Sequence, residues 1–293
     1  MADLESLTAS SLFTLTSWVC IVTGGGSGLG LMTARALAAN GARVYITGRR
    51  ADKLASAELS STPSGGSIHA VSMDCTDKDS ISAGVATIAA KEKYVNLLVN
   101  NAGQTSVNYG PKGMPTGSVE EISKEMMGNQ TFENWTDIYK INVASYYFTA
   151  AAFLPLLVAA RENGFEEAGS ILNISSISGI TKESQNGQFS YNASKAATIS
   201  LTEQLAVDFK RPGIEIRVNT LAPGYFPSEM TPIAREDGKD KEVLRDLKGS
   251  WGIPFGRAGR PRDYAQAVLN FATNGYITGS TLVIDGGWLL AHA

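Results

Sequence analysis

Residues 18–30 read WVCIVTGGGSGLG, and the reading of this stretch decides the fold. Trp18–Thr23 is an apolar run rich in strand formers, far too short to span a bilayer, and is read as a core strand. The turn Thr23–Gly30 (TGGGSGLG) follows at once, and a helical pattern follows the turn. Glycines let a backbone turn tightly and approach a pyrophosphate with no Cβ in the way. A helix N-terminus adds free N–H groups and the positive end of its dipole. Strand, glycine turn and helix in this order predict a phosphate cradle formed by Gly24, Gly26, Ser27, Gly28, Leu29 and Gly30.

Outward from the cradle, apolar runs alternate with helical patterns along the chain. Strands are expected at about 18–23, 43–47, 67–73, 95–100, 168–175, 214–220 and 281–285. Between them, residues 29–39 place Leu29, Met32, Ala36 and Leu37 on one face, and residues 191–210 place Ala197, Leu201 and Leu205 on one stripe. Long helices are also expected at 133–160. This alternation predicts an α/β fold with a doubly wound, mostly parallel seven-stranded sheet and helices on both faces. No linker or repeat divides the chain, so 1–293 is read as one domain, with 1–17 an N-terminal extension. Two stretches interrupt the alternation, 104–131 and 225–250. Loops this long in a compact domain are usually lids or binding loops.

The second strand, Arg43–Thr47, is followed by Gly48-Arg49-Arg50. A fold that prefers NAD usually has a carboxylate here for the ribose 2′-hydroxyl. Gly48 holds that place, and the guanidinium groups of Arg49 and Arg50 match a 2′-phosphate in charge and geometry. NADP(H) is the expected cofactor.

Composition narrows the chemistry. The net charge is −3, and no basic stripe suggests a nucleic-acid partner. The two histidines, His69 and His292, leave little for a Ser-His-Asp triad or a histidine zinc site, and no metal is expected. Cys20 and Cys75 fall within or beside strands, like small buried hydrophobes in a reducing compartment. No secretion signal or membrane span is read, so a cytoplasmic protein is expected, with the sequons at Asn129, Asn134, Asn173 and Asn192 unmodified.

Acid–base work then needs another side chain. Residues 191–195 read YNASK, which puts Tyr191 and Lys195 four apart on one helix face. Free tyrosine has a pKa of about 10, too high for easy proton exchange near neutrality, and a neighbouring ammonium stabilises the phenolate.

In order along residues 18–287, these motifs resemble the short-chain dehydrogenase/reductase family. TGGGSGLG is similar to its cofactor turn, and Asp74-Cys75 to the position that holds the adenine. NNAG (Asn100–Gly103) resembles its motif beside the adenosine ribose, and KIN (Lys140–Asn142) the helix bearing its catalytic asparagine. NISSISG (Asn173–Gly179) resembles its serine-bearing strand end, PGYFPSEM (Pro223–Met230) its nicotinamide-contacting segment, and DGG (Asp285–Gly287) its last strand end. The resemblance implies a Rossmann-like fold and an NADP(H)-dependent oxidoreductase acting between carbonyl and alcohol carbons. It implies that Tyr191 is the proton donor or acceptor and that Lys195 lowers its pKa and bonds the nicotinamide ribose. Ser176 would hold the substrate oxygen, and Asn142 would shape a proton relay to Lys195. Asn101, Ala102 and Gly103 would line the cofactor, with Pro223, Gly224, Phe226 and Ser228 against the nicotinamide.

Three departures from the pattern stand out. Ser176 lies 15 residues before Tyr191, slightly long for the family, which leaves Ser178 as a rival for the serine role. The segment from Gly103 to Asn142 is also longer than usual. Ser228 stands where threonine is frequent. The substrate wall is expected from 104–131, 177–190 and 225–250, with Tyr109, Met114, Met126, Met127, Phe189, Tyr225, Phe226, Met230, Trp251 and Phe255. Of these, Trp251 and Phe255 are the first choices for core packing instead. The apolar lining implies a medium-sized, largely apolar small-molecule ketone or alcohol, of secondary-metabolite or 3-oxoacyl type. A homo-oligomer, dimer or tetramer, is expected through 133–160, where Tyr146, Tyr147 and Phe148 cluster, and 191–210. A non-redox enzyme on the same scaffold (dehydratase, epimerase or cyclase) and an NADP(H)-binding regulatory protein remain the alternatives.

Overall fold

The computed structural model describes residues 3–110, 113–228, 247–249 and 251–292. Most of the 225–250 loop, including Met230, lies outside them. All seven expected strands are present: β1 (Val19–Thr23), β2 (Arg43–Gly48), β3 (Ser67–Ser72), β4 (Leu97–Asn100), β5 (Ser170–Ile174), β6 (Arg217–Pro223) and β7 (Thr281–Ile284). They form one sheet in the order β3-β2-β1-β4-β5-β6-β7. Each pairing is parallel, so the sheet is wholly rather than mostly parallel. The strand order reverses between β1 and β4, and a crevice opens beyond the carboxyl ends of the strands at such a point.

The helices are α1 (Ala9–Leu12), α2 (Gly28–Ala39), α3 (Ala51–Ala57), α4 (Lys78–Ala89), α5 (Val119–Asn129), α6 (Phe132–Tyr139), α7 (Ser145–Glu162), α8 (Phe189–Phe209), α9 (Pro261–Thr273) and α10 (Trp288–Ala291). Two apolar clusters cover the two faces of the sheet. One joins Val22, Ile46, Leu37 and Phe271, and the other joins Ile21, Leu98, Phe153 and Leu205. Covering both faces is why β1 is buried at all five positions instead of alternating.

The expected helix 133–160 is built from three pieces. A π-helical turn, Lys140–Ala144, joins α6 to α7 and holds Asn142 fully buried. By length and composition the run 132–162 could cross a membrane. In this fold it packs beside α4 and the sheet, and sends Tyr146, Phe153 and Leu157 into the core.

Two expected faces are corrected. α2 buries Gly30, Thr33, Ala34, Leu37 and Ala38, whereas Leu29, Met32 and Ala36 stay half-buried at its edge. Small residues let this helix approach the sheet closely, and that outweighs the larger apolar stripe. α8 likewise buries Ser194, Lys195, Thr198, Thr202, Leu205 and Ala206, and leaves Ala197 and Leu201 half-buried. Its inner face is largely polar because it closes a hydrogen-bonded network. Asn100 Nδ2 donates to Asn173 Oδ1 (2.9 Å), and Asn173 Nδ2 donates to Thr202 Oγ1 (2.9 Å). Thr220 Oγ1 donates to the same Thr202 oxygen (2.7 Å), and Thr149 Oγ1 donates to Asn100 Oδ1 (2.6 Å). Every member is buried.

Buried polar groups are tolerable only when paired. Thr202→Val keeps the shape of the side chain and strips Asn173 and Thr220 of their shared partner. It is expected to destabilise the fold by about 1–3 kcal/mol in urea unfolding, against no measurable change for Ser200→Ala on the exposed face of the same helix.

Candidate active site

The crevice at the reversal point is a cleft of about 590 Å³. It brings together Gly24, Gly26, Ser27, Gly28, Leu29, Arg49, Arg50, Asp74, Cys75, Asn101, Ala102, Gly103, Ser176, Tyr191, Lys195, Pro223, Gly224, Phe226 and Ser228. Of the expected site residues, Gly30 and Asn142 are outside this lining, and both are buried.

The glycine turn is shaped by contact distances. A Cβ on Gly30 would lie 2.3 Å from the Gly24 carbonyl oxygen, and one on Gly24, at φ +65°, would lie 3.0 Å from Ala102 Cα. The turn is tied to β4 as well. Thr23 Oγ1 accepts from the backbone N–H of Asn101 (2.9 Å) and Ala102 (3.0 Å), and Asn101 Nδ2 donates to the Thr23 carbonyl (2.9 Å). Ser27 caps α2 with no side-chain bond to the helix; its hydroxyl accepts instead from Arg50 (2.9 Å).

Beyond β2, Arg49 is 67 % exposed and its guanidinium stands 4.0 Å from the Asp74 carboxylate. Partial burial raises the pKa of Asp74, but the Thr76 backbone and hydroxyl bonds, with Arg49 nearby, hold it below the ordinary carboxylate range. Cys75 is free, and burial pushes its thiol up to about 12, so it contributes shape and not a thiolate.

At the other end, the 3₁₀ turn Ile177–Gly179 lies against α8. A Cβ on Gly179 would sit 2.5 Å from the Lys195 carbonyl carbon, and Ser175 Oγ donates to the Lys195 carbonyl oxygen (2.7 Å). This contact brings the serine loop to the YNASK helix. Ser176 lines the cleft together with Tyr191, and its hydroxyl donates to Ser178 Oγ (3.1 Å). Ser178 is buried behind it, with its N–H donated to Ser176 Oγ (3.1 Å). The geometry thus separates the two serines, with Ser176 in the cleft lining and Ser178 outside it.

Lys195 reaches under Tyr191. Its side chain is buried, and Nζ donates to the Ile174 carbonyl (2.8 Å). Nζ lies 5.8 Å from the ring centre of Tyr191 and 5.7 Å from that of Tyr146. Burial lowers the lysine pKa to about 7 and raises that of Tyr191, a rise opposed by the Ser176 hydrogen bond. The expected acidification of Tyr191 is therefore not a property of the protein alone. Burial penalises the charged form of each group and is the leading cause of both shifts.

Asn142 Oδ1 accepts from Gln104 N (3.0 Å), and its Nδ2 donates to Gln104 O (3.0 Å) and Ser194 Oγ (3.0 Å). Ser194 Oγ in turn donates to the Tyr191 carbonyl (2.7 Å). Gly103 stands between Asn142 and Lys195: a Cβ there would be 3.0 Å from Asn142 Oδ1 and 3.6 Å from Nζ. Thr23, Gln104, Ser194 and the Ile174 carbonyl were not anticipated from the sequence. Only Ser194, one turn after Tyr191 on the same helix, carried a positional hint.

Some expected wall residues are elsewhere. Phe255 is 72 % exposed and Trp251 is 37 % exposed, its ring tilted against Tyr225 at 4.9 Å between centres, so neither is a core residue. Met126 and Met127 are exposed on α5, which buries nothing; the long segment contributes Gln104 and Thr105 to the cleft instead. Tyr146 is buried with its hydroxyl on the Ile174 carbonyl (3.1 Å), so it cannot join Tyr147 at an oligomer surface.

Residues 18–239 match the family model described as short chain dehydrogenase. Among curated proteins, the chain is 34% identical to the short-chain dehydrogenase/reductase VdtF of Byssochlamys spectabilis, covering 98% of this chain and 97% of that one. It is 31% identical to the 3-oxoacyl-[acyl-carrier-protein] reductase FabG of Chlamydia pneumoniae, over 94% and 98%. Among solved structures, the Pseudomonas aeruginosa RhlG/NADP active-site complex is 30% identical and superposes with a TM-score of 0.77 over 94% of this chain and 98% of that one.

The buried amine makes stability depend on pH. An unfolded lysine titrates at about 10.5, and here it titrates at about 7. Between those values the unfolded chain binds the extra proton, so this group's contribution rises with pH from 7 to 10.5 and is flat below 7. Chemical denaturation of wild type and Lys195→Met should show the wild type gaining on the variant across that window. A constant difference would contradict the burial.

Proposed function

The chain belongs to the short-chain dehydrogenase family, oxidoreductases that use a nicotinamide cofactor on CH–OH and C=O groups of small molecules, and from that premise we propose that it is an NADP(H)-dependent carbonyl reductase or alcohol dehydrogenase for a medium-sized, largely apolar ketone or secondary alcohol. The observation that carries the reading is the convergence of the Ser176 and Tyr191 hydroxyls in one cleft above the buried amine of Lys195.

The cleft fits the cofactor on its own geometry. The turn closes tightly because a Cβ on Gly30 would strike the Gly24 carbonyl and one on Gly24 would crowd Ala102, and this leaves the backbone of Gly24, Gly26 and Gly28 lining the cleft before the N-terminus of α2, where a phosphate would bind. Arg49 and Arg50 stand at the end of β2, where a 2′-phosphate needs cations. Bound there, the nicotinamide supplies or accepts the hydride. All else falls to the chain. Tyr191 gives its phenolic proton to the substrate oxygen in reduction and takes it back in oxidation. Ser176 donates a hydrogen bond to the same oxygen and stabilises developing negative charge. Lys195 takes up a proton when the polyanionic dinucleotide fills the cleft, and in that charged form favours the phenolate. Asn142 holds Gln104 and Ser194, and so fixes the space beside Gly103 through which a proton reaches Lys195. Pro223, Gly224, Phe226 and Ser228 would hold the nicotinamide, and Asp74, with the Cys75 backbone, would hold the adenine.

The exposed face of α7, with Tyr147 half-exposed, supports a homo-oligomer. Two free buried cysteines agree with a cytoplasmic setting.

The test is a panel of medium-sized apolar ketones followed at 340 nm with NADPH and with NADH. Reduction with NADPH preferred is expected, and Arg49→Ala should erode that preference. Tyr191→Phe should lower kcat by at least about a hundredfold with NADPH affinity unchanged by fluorescence titration. Product formed with no net NADPH consumption, or preference for NADH, would overturn the reading.

A further inference from the structure

Two departures from the family spacing, far apart in sequence, meet in space. The lengthened stretch between Ser176 and Tyr191 turns back on itself at Gln185, Asn186 and Gly187, three successive residues with positive φ (+50°, +66° and +83°). Two of them carry side chains, which seldom adopt this left-handed conformation. A turn of this kind persists when its surroundings hold it. The surroundings here come from the long segment after β4. Tyr109 N donates to the Asn186 carbonyl (2.9 Å). The Tyr109 ring occupies the place of the missing Gly187 side chain: a Cβ there would lie 2.3 Å from ring carbon Cδ2 and 3.2 Å from Met114 Sδ. Thr105 Oγ1, which lines the cleft, donates to Gln188 Oε1 (3.2 Å).

Gln188 is the N-cap of α8, and its N–H is donated back to Ser184 O (2.8 Å). Tyr191 is in the first turn of that helix. The other end of the contact is equally fixed, because Asn142 clamps both backbone groups of Gln104. A short chain of contacts therefore runs from the π turn through Gln104, Thr105 and Tyr109 to the start of the tyrosine helix.

We infer that Tyr109 is a positioning residue, and that 104–110, with Met114, and 184–188 form one module that fixes the start of the Tyr191 helix and walls the substrate side of the cleft. Tyr109 touches no reacting atom and acts through Asn186 and Gly187. The module does not extend to the glycine cradle, so it governs substrate turnover and not dinucleotide affinity. The inference rests on the proposed reductase reading, and its structural half stands apart from it.

The experiment compares Tyr109→Ala, Tyr109→Phe and wild type, full-length, with two readouts. In amide hydrogen exchange, Tyr109→Ala should speed exchange across 184–192 at least tenfold and leave β1 and α2 unchanged, and Tyr109→Phe should match wild type. With NADPH and the ketone panel, Tyr109→Ala should lose at least tenfold in kcat/KM at unaltered NADPH affinity, and Tyr109→Phe should recover it. Gly187→Ala, which drives a Cβ into the ring, should reproduce Tyr109→Ala in both. Unchanged exchange in Tyr109→Ala, or failure of Tyr109→Phe to restore it, would overturn the module. A wild type that reduces no ketone would count against the reductase reading, and the exchange data would still decide the module.

Discussion

The amine of Lys195 is held in a nearly dry place, between two phenol rings and against one main-chain carbonyl. A charge there lacks water, and a neutral amine there wastes donors. Much of the site is arranged around that tension. Ile174 offers its carbonyl because β5 ends at it, and Tyr146 donates to the same oxygen from α7. Gly179 and Ser175 press the serine loop onto the backbone of Lys195 itself. The lysine is thus fixed by a strand end, two helices and a loop, and Tyr191 is set by where the lysine is.

The polar network beneath makes such a site affordable in a core. Asn100, Asn173, Thr202 and Thr220 link β4, β5, β6 and α8 with each member bonded. A sheet that was purely apolar at its carboxyl end would present no fixed donors to the cleft, and an unsatisfied network would cost more than it stabilised. The π turn fits the same logic. One extra residue in the turn re-aims Asn142 inward, so that its amide can hold Gln104 on one side and Ser194 on the other. Such bulges occur often at functional sites.

Much of this was legible in the residues. The glycine turn between a strand and a helix located the crevice, and seven apolar runs located the seven strands. YNASK paired Tyr191 with Lys195, and register within NISS picked Ser176, which lines the same cleft as Tyr191. What failed has physical causes. Periodicity ranks apolar bulk, so it chose Met32 and Ala36 on α2 and Ala197 and Leu201 on α8, whereas close packing and polar pairing decided the buried faces. Aromatic content misplaced Trp251 and Phe255 in the core and Tyr146 at a surface, because a ring's environment depends on what lies across from it. The sign of the tyrosine shift was also hidden, since spacing reports proximity and says nothing of desolvation. The meeting of Tyr109 with Gly187 needed the tertiary structure, as no local pattern joins positions so far apart.

The account turns on an amine whose charge is conditional. With the protein alone, Lys195 titrates at about 7, and the polyanion is proposed to protonate it. Calorimetric titration of the protein with NADPH at pH 8, in two buffers of different ionisation enthalpy, counts the protons exchanged on binding. The account predicts uptake approaching one proton, abolished in Lys195→Met. Binding heats that do not depend on the buffer, or an equal uptake in Lys195→Met, would contradict it.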